Sequence, residues 1–200
     1  RDRLRSRGLG DVYKRQYLTL TDWNGVSSVK NFVGLSNFAA VMRDAQFWKS
    51  LLLTFKYVIA VVVLVNVIAF LLAYILTRGI KGQNFFRAGF FTPNLIGGII
   101  LGYIWQQMIN AVLLKYETTL VANATYGFGG LVILMNWQMI GYMMIIYIAG
   151  LQSIPGDIIE AAEIDGANKI QTLFKVTIPM MMPSITICMF LSITNGFKLF

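Results

Sequence analysis

Residues 154–183 read IPGDIIEAAEIDGANKIQTLFKVTIPMMMP, the one long polar stretch with internal order in a chain otherwise built of apolar runs. Pro155 suits the first turn of a helix, where a missing N–H has no partner to lose. Asp157 and Glu160 put negative charge near the positive end of that helix. The pattern predicts a helix from about Pro155 to Ile164. Asp165-Gly166 is a turn signal, with glycine free to take the left-handed conformation that ends a helix. Ile170, Leu173, Phe174 and Ile178 then fall at i, i+3, i+4 and i+8, which predicts a second helix with one apolar face. The expected shape is helix, tight turn, helix at a membrane surface, presenting Ala161, Ala162 and Ala167 beside Glu160 and Asp165. Small side chains admit another protein's backbone, and a carboxylate there can accept a bidentate arginine. An amphipathic helix resting on lipid is the plainer alternative. Such helices are usually rich in Lys and Arg, whereas four acids outnumber two bases here.

Outward from this stretch, the distances between consecutive charges locate the membrane spans, since a helix needs about 20 mostly apolar residues to cross the hydrocarbon. Between Lys56 and Arg78 lie 21 uncharged residues, between Arg87 and Lys115 27, between Glu117 and Asp157 39, and between Lys175 and Lys198 22. In the third gap Asn123 to Gly130 is polar and glycine-rich, which leaves Leu131 to Leu151 as its span. Four helices are expected, in an all-α integral membrane bundle. Arg78, Lys81 and Arg87 put their loop in the cytoplasm. Alternation then places residues 17–46 outside, assigns 47–200 to the membrane domain and puts the segment 152–178 in the cytoplasm. None of the four spans holds Asp, Glu, Lys, Arg or His in its interior, which argues against a proton relay or voltage sensor.

Composition excludes much else. Of 200 residues, 56% are hydrophobic and 13% charged, too apolar for a soluble domain. Histidine is absent and Cys188 is the single cysteine, which removes histidine triads, Cys/His zinc sites and intrachain disulfides. Half of the net charge of +8 lies in residues 1–16, which hold six basic residues against two acidic ones, and the remainder is ordinary for basic cytoplasmic loops, so the charge implies no nucleic acid partner. That segment lacks an apolar run and reads as foreign to the rest of the chain, a scar of cloning or gene prediction, the alternative being a genuine polybasic arm.

The spacing Glu160-Ala161-Ala162, three residues, Gly166, nine residues, Val176-x-Ile178-Pro179 resembles the EAA loop of importer permeases of the ATP-binding-cassette family, the type I fold. Val176 and Ile178 depart conservatively from that pattern. FVGLSNF at 32–38, FFRAGFFTPNLIGGIILGYIW at 85–105, Trp137 with Gly141, and AGLQSIPGDIIEAAEIDGA at 149–167 are similar to its carbohydrate branch, the maltose- and glycerol-phosphate-type permeases. The resemblance implies a permease subunit that moves a sugar or related polyol across the cytoplasmic membrane of a prokaryote. It also implies ATP-binding-cassette ATPase subunits, a second homologous permease subunit and an extracytoplasmic solute-binding protein as partners. Glu160 would pair with a basic ATPase residue, Ala161 and Ala162 would allow insertion, and Gly166 would make the bend. About six spans are usual in that branch, so four imply a fragment lacking its first and last helices. A Walker glycine-lysine loop is absent, so no cofactor or ATP is expected on this chain, and it is expected not to be an enzyme.

For the cargo path, polar residues within the apolar runs are the candidates: Asn94, Gln106, Asn136, Ser192 and Asn195, with Gln107 and Thr194 beside them and Trp105, Trp137 and Tyr142 as stacking surfaces. Each has the alternative use of bonding a neighbouring helix. Gly98 and Gly102 are spaced for close helix approach, and Met135, Met139 and Met143 form a stripe read as core packing. The competing functional classes are a secondary carrier or channel, which calls for inverted halves or charged mid-membrane helices, and a membrane-embedded enzyme, which calls for clustered acids, bases or metal ligands near a span.

Overall fold

The computed structural model describes residues 12–27 and 30–198. Two compact units divide the chain, Arg1–Leu53 and Thr54–Phe200. Of the basic segment 1–16, residues 1–11 lie outside the described residues and 12–16 are helical.

In the first unit, polar side chains close a short turn. An isolated antiparallel bridge joins Thr21 to Phe32. Beside it the Asn31 backbone N–H and Nδ2 donate to the two oxygens of Asp22, at 2.8 and 3.0 Å. These bonds hold the Asp22 carboxyl below its usual range. Helix α1 (Ser36–Arg43) comes next, and the first turns of α2 (Ala45–Leu76) complete the unit. Trp48 Nε1 donates to the Met42 carbonyl at 2.8 Å, which stitches the α1–α2 corner.

The second unit is a bundle of apolar helices. In hydrocarbon every backbone polar group needs an internal partner, so even the Val- and Ile-rich run of α2 is helical. After α2 come α3 (Gln83–Phe91), α4 (Gly98–Leu113), α5 (Ala124–Gln152), α6 (Gly156–Ile164) and α7 (Lys169–Thr172). A π-helical turn (Leu173–Thr177), α8 (Ile178–Met180) and α9 (Met182–Phe197) complete it. Val58, Val61, Val65 and Ala69 recur every three or four residues on one face of α2 and are buried with Met139, Met143 and Tyr147 of α5 and Cys188 of α9. The methionine stripe is therefore core, with Met143 fully buried. On the opposite side of α2, Ile59, Val63, Val67 and Leu71 remain exposed, as suits a surface in lipid.

Four apolar runs are present, but two of them are bent. By length and composition, Ala45–Leu76 and Ala124–Gln152 can each cross a membrane unbroken. Counting each bent pair as one span raises the number to four. The charge gaps predict one helix for the second run; Gln83–Leu95 and Gly98–Tyr116 instead meet at 101°. Pro93 starts the last turn of the first half, and Ile96 and Gly97 are extended, so the hydrogen-bond ladder stops there. The fourth run bends by 70° between Met180 and Met182. Pro179 has no N–H, and its ring crowds the carbonyl four residues back. The wide turn at Leu173–Thr177 relieves that crowding, and Pro183 opens α9.

Two further expectations are corrected. The polar, glycine-rich character of Asn123–Gly130 sets it outside the third span, yet α5 begins at Ala124 because Asn123 caps it, accepting from the Thr125 and Tyr126 amides. Gly127 and Gly130 are tolerated there because Leu120 packs against both. Gly98 and Gly102 make no close approach, for a Cβ at either would meet nothing within 4 Å. The close approaches are at Gly141, against the Phe90 carbonyl, and at Gly150, against Ser184.

Candidate functional site

The loop between α5 and α9 is built from local signals. Pro155 precedes α6 in extended conformation and Asp157 sits in its first turn. At the other end Gly166 takes φ +79°. Its N–H bonds the Glu163 carbonyl and the Ala167 N–H bonds the Ala162 carbonyl, both at 3.0 Å, which satisfies two carbonyls the helix would otherwise leave open. The chain restarts at once: Asn168 Oδ1 accepts from the Ile170 and Gln171 amides, and Gln171 Oε1 accepts from the Asn168 amide. This capping box fixes α7 directly behind the turn.

On this frame Asp157, Glu160, Ala161, Ile164, Asp165 and Gly166 are exposed, while Ile159, Ala162 and Ala167 are half-buried. The small-residue patch expected from the sequence is thus divided, with Ala161 outward beside Glu160 and with Ala162 and Ala167 turned partly inward. Glu160 makes no ion pair among the described residues. The apolar face expected for the second helix is also divided, with the π turn at Leu173–Thr177 falling within it. Leu173 and Ile178 are half-buried, whereas Ile170 and Phe174 are 69% and 64% exposed. With Ile164 at 86% exposure, three large apolar side chains of this loop are open, a feature that helical periodicity alone does not single out.

The candidate cargo residues separate into four settings. Asn94, Tyr142 and Asn195 share a cavity of about 270 Å³ with Gln138, Met135 and Met139. Gln138 is not among the sequence candidates, although it too is a polar residue within an apolar run. Its Nε2 donates to the Ile96 carbonyl at 3.4 Å, at the break between the two halves of the second run. Gln106 and Trp105 line a separate, mostly apolar cavity of about 360 Å³ with Leu134 and Gly130. The ring of Trp105 meets Trp137 edge-on at 5.4 Å. Asn136 is buried, its Nδ2 donating to the Val132 carbonyl at 2.7 Å while Oδ1 has no partner among the described residues. Ser192 is fully buried and bonded to Asn66. Of the five polar candidates Asn94, Gln106, Asn136, Ser192 and Asn195, the structure brings Asn94 and Asn195 together. Both contribute carboxamides to a cavity with no formal charge in its lining. No group of three His, Cys, Asp or Glu among the described residues can hold a metal.

Residues 82–200 match the family described as binding-protein-dependent transport system inner membrane component. The chain is 44% identical over 192 residues to the "Probable starch degradation products transport system permease protein AmyD" of Thermoanaerobacterium thermosulfurigenes, covering 92% of this chain and 65% of that protein. It is 31% identical to the "Multiple sugar-binding transport system permease protein MsmF" of Streptococcus mutans, covering 94% of this chain and 68% of that one. The chain thus spans about two thirds of the length of these relatives. Among solved structures, a bacterial ABC transporter involved in the import of the acidic polysaccharide alginate is similar in fold, with a TM-score of 0.74 at 17% identity over 94% of this chain and 69% of that one. The bacterial alginate ABC transporter in complex with an alginate pentasaccharide-bound periplasmic protein is similar with a TM-score of 0.68 at 18% identity, covering 80% of this chain and 59% of that one.

Proposed function

The chain belongs to the family of binding-protein-dependent transport system inner membrane components, and from that premise we propose that it is a permease subunit of an ATP-driven importer for a sugar or related polyol. It works in the cytoplasmic membrane of a prokaryote, with the loop 152–178 on the cytoplasmic side. Its partners are ATP-binding-cassette ATPase subunits, a second homologous permease subunit and an extracytoplasmic solute-binding protein.

The observation that carries the reading is α6: a short acidic helix closed at Gly166, outward at Glu160 and Ala161, and joined through a π turn and a 70° bend to α9. Glu160 offers its carboxylate to an ATPase arginine or lysine. Ala161 lets the partner's backbone approach, and the Asp165-Gly166-Ala167 turn keeps the helix short enough to enter a groove. Closure of the ATPase dimer pushes α6, and α9 turns about the bend, so one binding event biases two arrangements of the spans. Asn94, Gln138, Tyr142 and Asn195 supply the amides and phenol that hydroxyl-rich, uncharged cargo needs, with Met135 and Met139 as the adaptable apolar part of the same lining.

The test is made in the full-length protein with its partners. Glu160→Lys and Gly166→Pro should abolish sugar uptake and weaken recovery of the ATPase with the membrane subunit, while leaving the subunit inserted. Wild-type uptake in both variants would refute the reading.

A further inference from the structure

Behind α6 lies a cavity of about 380 Å³, walled by the ends of α2 and α5, the inner side of α6, and α7. Three formally charged residues line it: Arg78, Glu163 and Lys169. Arg78 lies over the Tyr74 ring at 4.3 Å and donates Nη2 to the Tyr74 hydroxyl at 2.6 Å, which orients its guanidinium and leaves further N–H donors of its five. None of the three makes an ion pair among the described residues, although they share one cavity.

The level of the cavity narrows the choice of occupant. Leu76 ends α2 and Gln152 ends α5, and both helices are long and apolar enough to cross a membrane. Their ends therefore fall where hydrocarbon gives way to headgroups, the level at which Tyr, Lys and Arg gather. The volume is within the range of about 300–1,000 Å³ usual for small-ligand sites.

We propose that this cavity seats the headgroup of an aminophospholipid, with its phosphate on Arg78 and Lys169 and its primary ammonium on Glu163. Two cations and one carboxylate complement one phosphate and one ammonium. A phosphatidylglycerol headgroup supplies no cation and would leave Glu163 beside a phosphate. Soluble phosphoethanolamine has the same polar chemistry but lacks the acyl chains that hold a headgroup at this level. An occupied seat braces α6 against the ends of α2 and α5, so lipid composition sets how stiffly the loop is carried.

The experiment uses the full-length protein, purified in detergent with the subunits that copurify and then delipidated. Phosphatidylethanolamine, phosphatidylglycerol and soluble phosphoethanolamine are each titrated, with bound lipid read by native mass spectrometry and by the shift in Tm. The wild type should bind phosphatidylethanolamine in preference to the other two. Lys169→Gln should weaken that binding about tenfold, the scale of one charge-assisted hydrogen bond. Glu163→Gln should erase the preference for phosphatidylethanolamine over phosphatidylglycerol. Equal binding of the two lipids by the wild type, binding of soluble phosphoethanolamine as tight as the lipid, or unchanged binding in both variants would each overturn the proposal. The wild-type comparison stands even if a variant fails to fold. These readouts are independent of ATPase docking, so failure here leaves the transport reading untouched, and the reverse.

Discussion

The Tyr147 hydroxyl donates to Asn66 Oδ1 at 2.7 Å in the middle of the bundle. Asn66 Nδ2 in turn donates to Ser192 Oγ at 3.0 Å and to the Val62 carbonyl at 2.7 Å, so one side chain joins α2, α5 and α9. Asn66→Leu takes the acceptor from the Tyr147 hydroxyl and the interhelical donor from Ser192 Oγ, and it should destabilise the protein by about 1–3 kcal/mol. Ser192→Ala removes one bond between helices, from Asn66, and one within α9, to the Met189 carbonyl, and the interhelical bond should cost about 0.6 kcal/mol. Equilibrium unfolding in bicelles measures both. Equal effects would mean that Asn66 does not hold the three helices together.

Glycine substitutions should divide by what faces them. A Cβ at Gly141 would run into the Phe90 carbonyl and come within 2.8 Å of Phe91 Cα, backbone that cannot rotate away. Gly141→Ala should therefore separate α3 from α5 and cost about 1–3 kcal/mol as an overpacking change. Gly98→Ala meets nothing within 4 Å and should leave the unfolding free energy within about 0.5 kcal/mol of wild type.

At Gly166 the backbone decides, not the space. Its φ of +79° suits glycine, and a Cβ there would meet no atom within 4 Å. Gly166→Ala should loosen the end of α6 by about 1 kcal/mol. Gly166→Asn should cost less, since asparagine tolerates the left-handed region. Hydrogen exchange over residues 156–165 in the full-length protein should rank the variants glycine, asparagine, alanine from most to least protected.

The turn closed by Asp22 should open in acid. Its carboxyl is held below the ordinary value of 3.8 by the Asn31 backbone and side-chain amides, so the folded form binds its proton less readily than the unfolded form. The stabilisation is fully present above 3.8 and is lost as pH falls through the lowered folded value. NMR shifts of the Asn31 amides should stay constant from neutral pH to about 4 and move in stronger acid. Asp22→Asn should remove that acid transition.

The parts of this fold that are legible in the sequence are those whose causes are local. Pro155 opening α6, Gly166 ending it and the apolar runs between charges each depend on residues a few positions apart. The bends are not legible in the same way, although Pro93 and the Gly97-Gly98 pair stand in plain view, because counting residues between charges measures length and says nothing of direction. Close approach is misplaced for a related reason: whether Gly98 or Gly141 is crowded depends on a segment tens of residues away. Ser192 and Asn195 show the same limit within one helix. They lie three residues apart and look alike as polar residues in an apolar run, yet one is locked to Asn66 and the other lines a cavity.

The break at Ile96 and Gly97 changes which main-chain groups the bundle leaves open. Where a helix stops at membrane depth, carbonyls that would have been consumed by their own coil are released, and nothing in oil can quench them. The Ile96 oxygen takes one weak bond from Gln138 and retains a second lone pair. An acceptor of this kind belongs to the main chain, so no side-chain substitution can delete it.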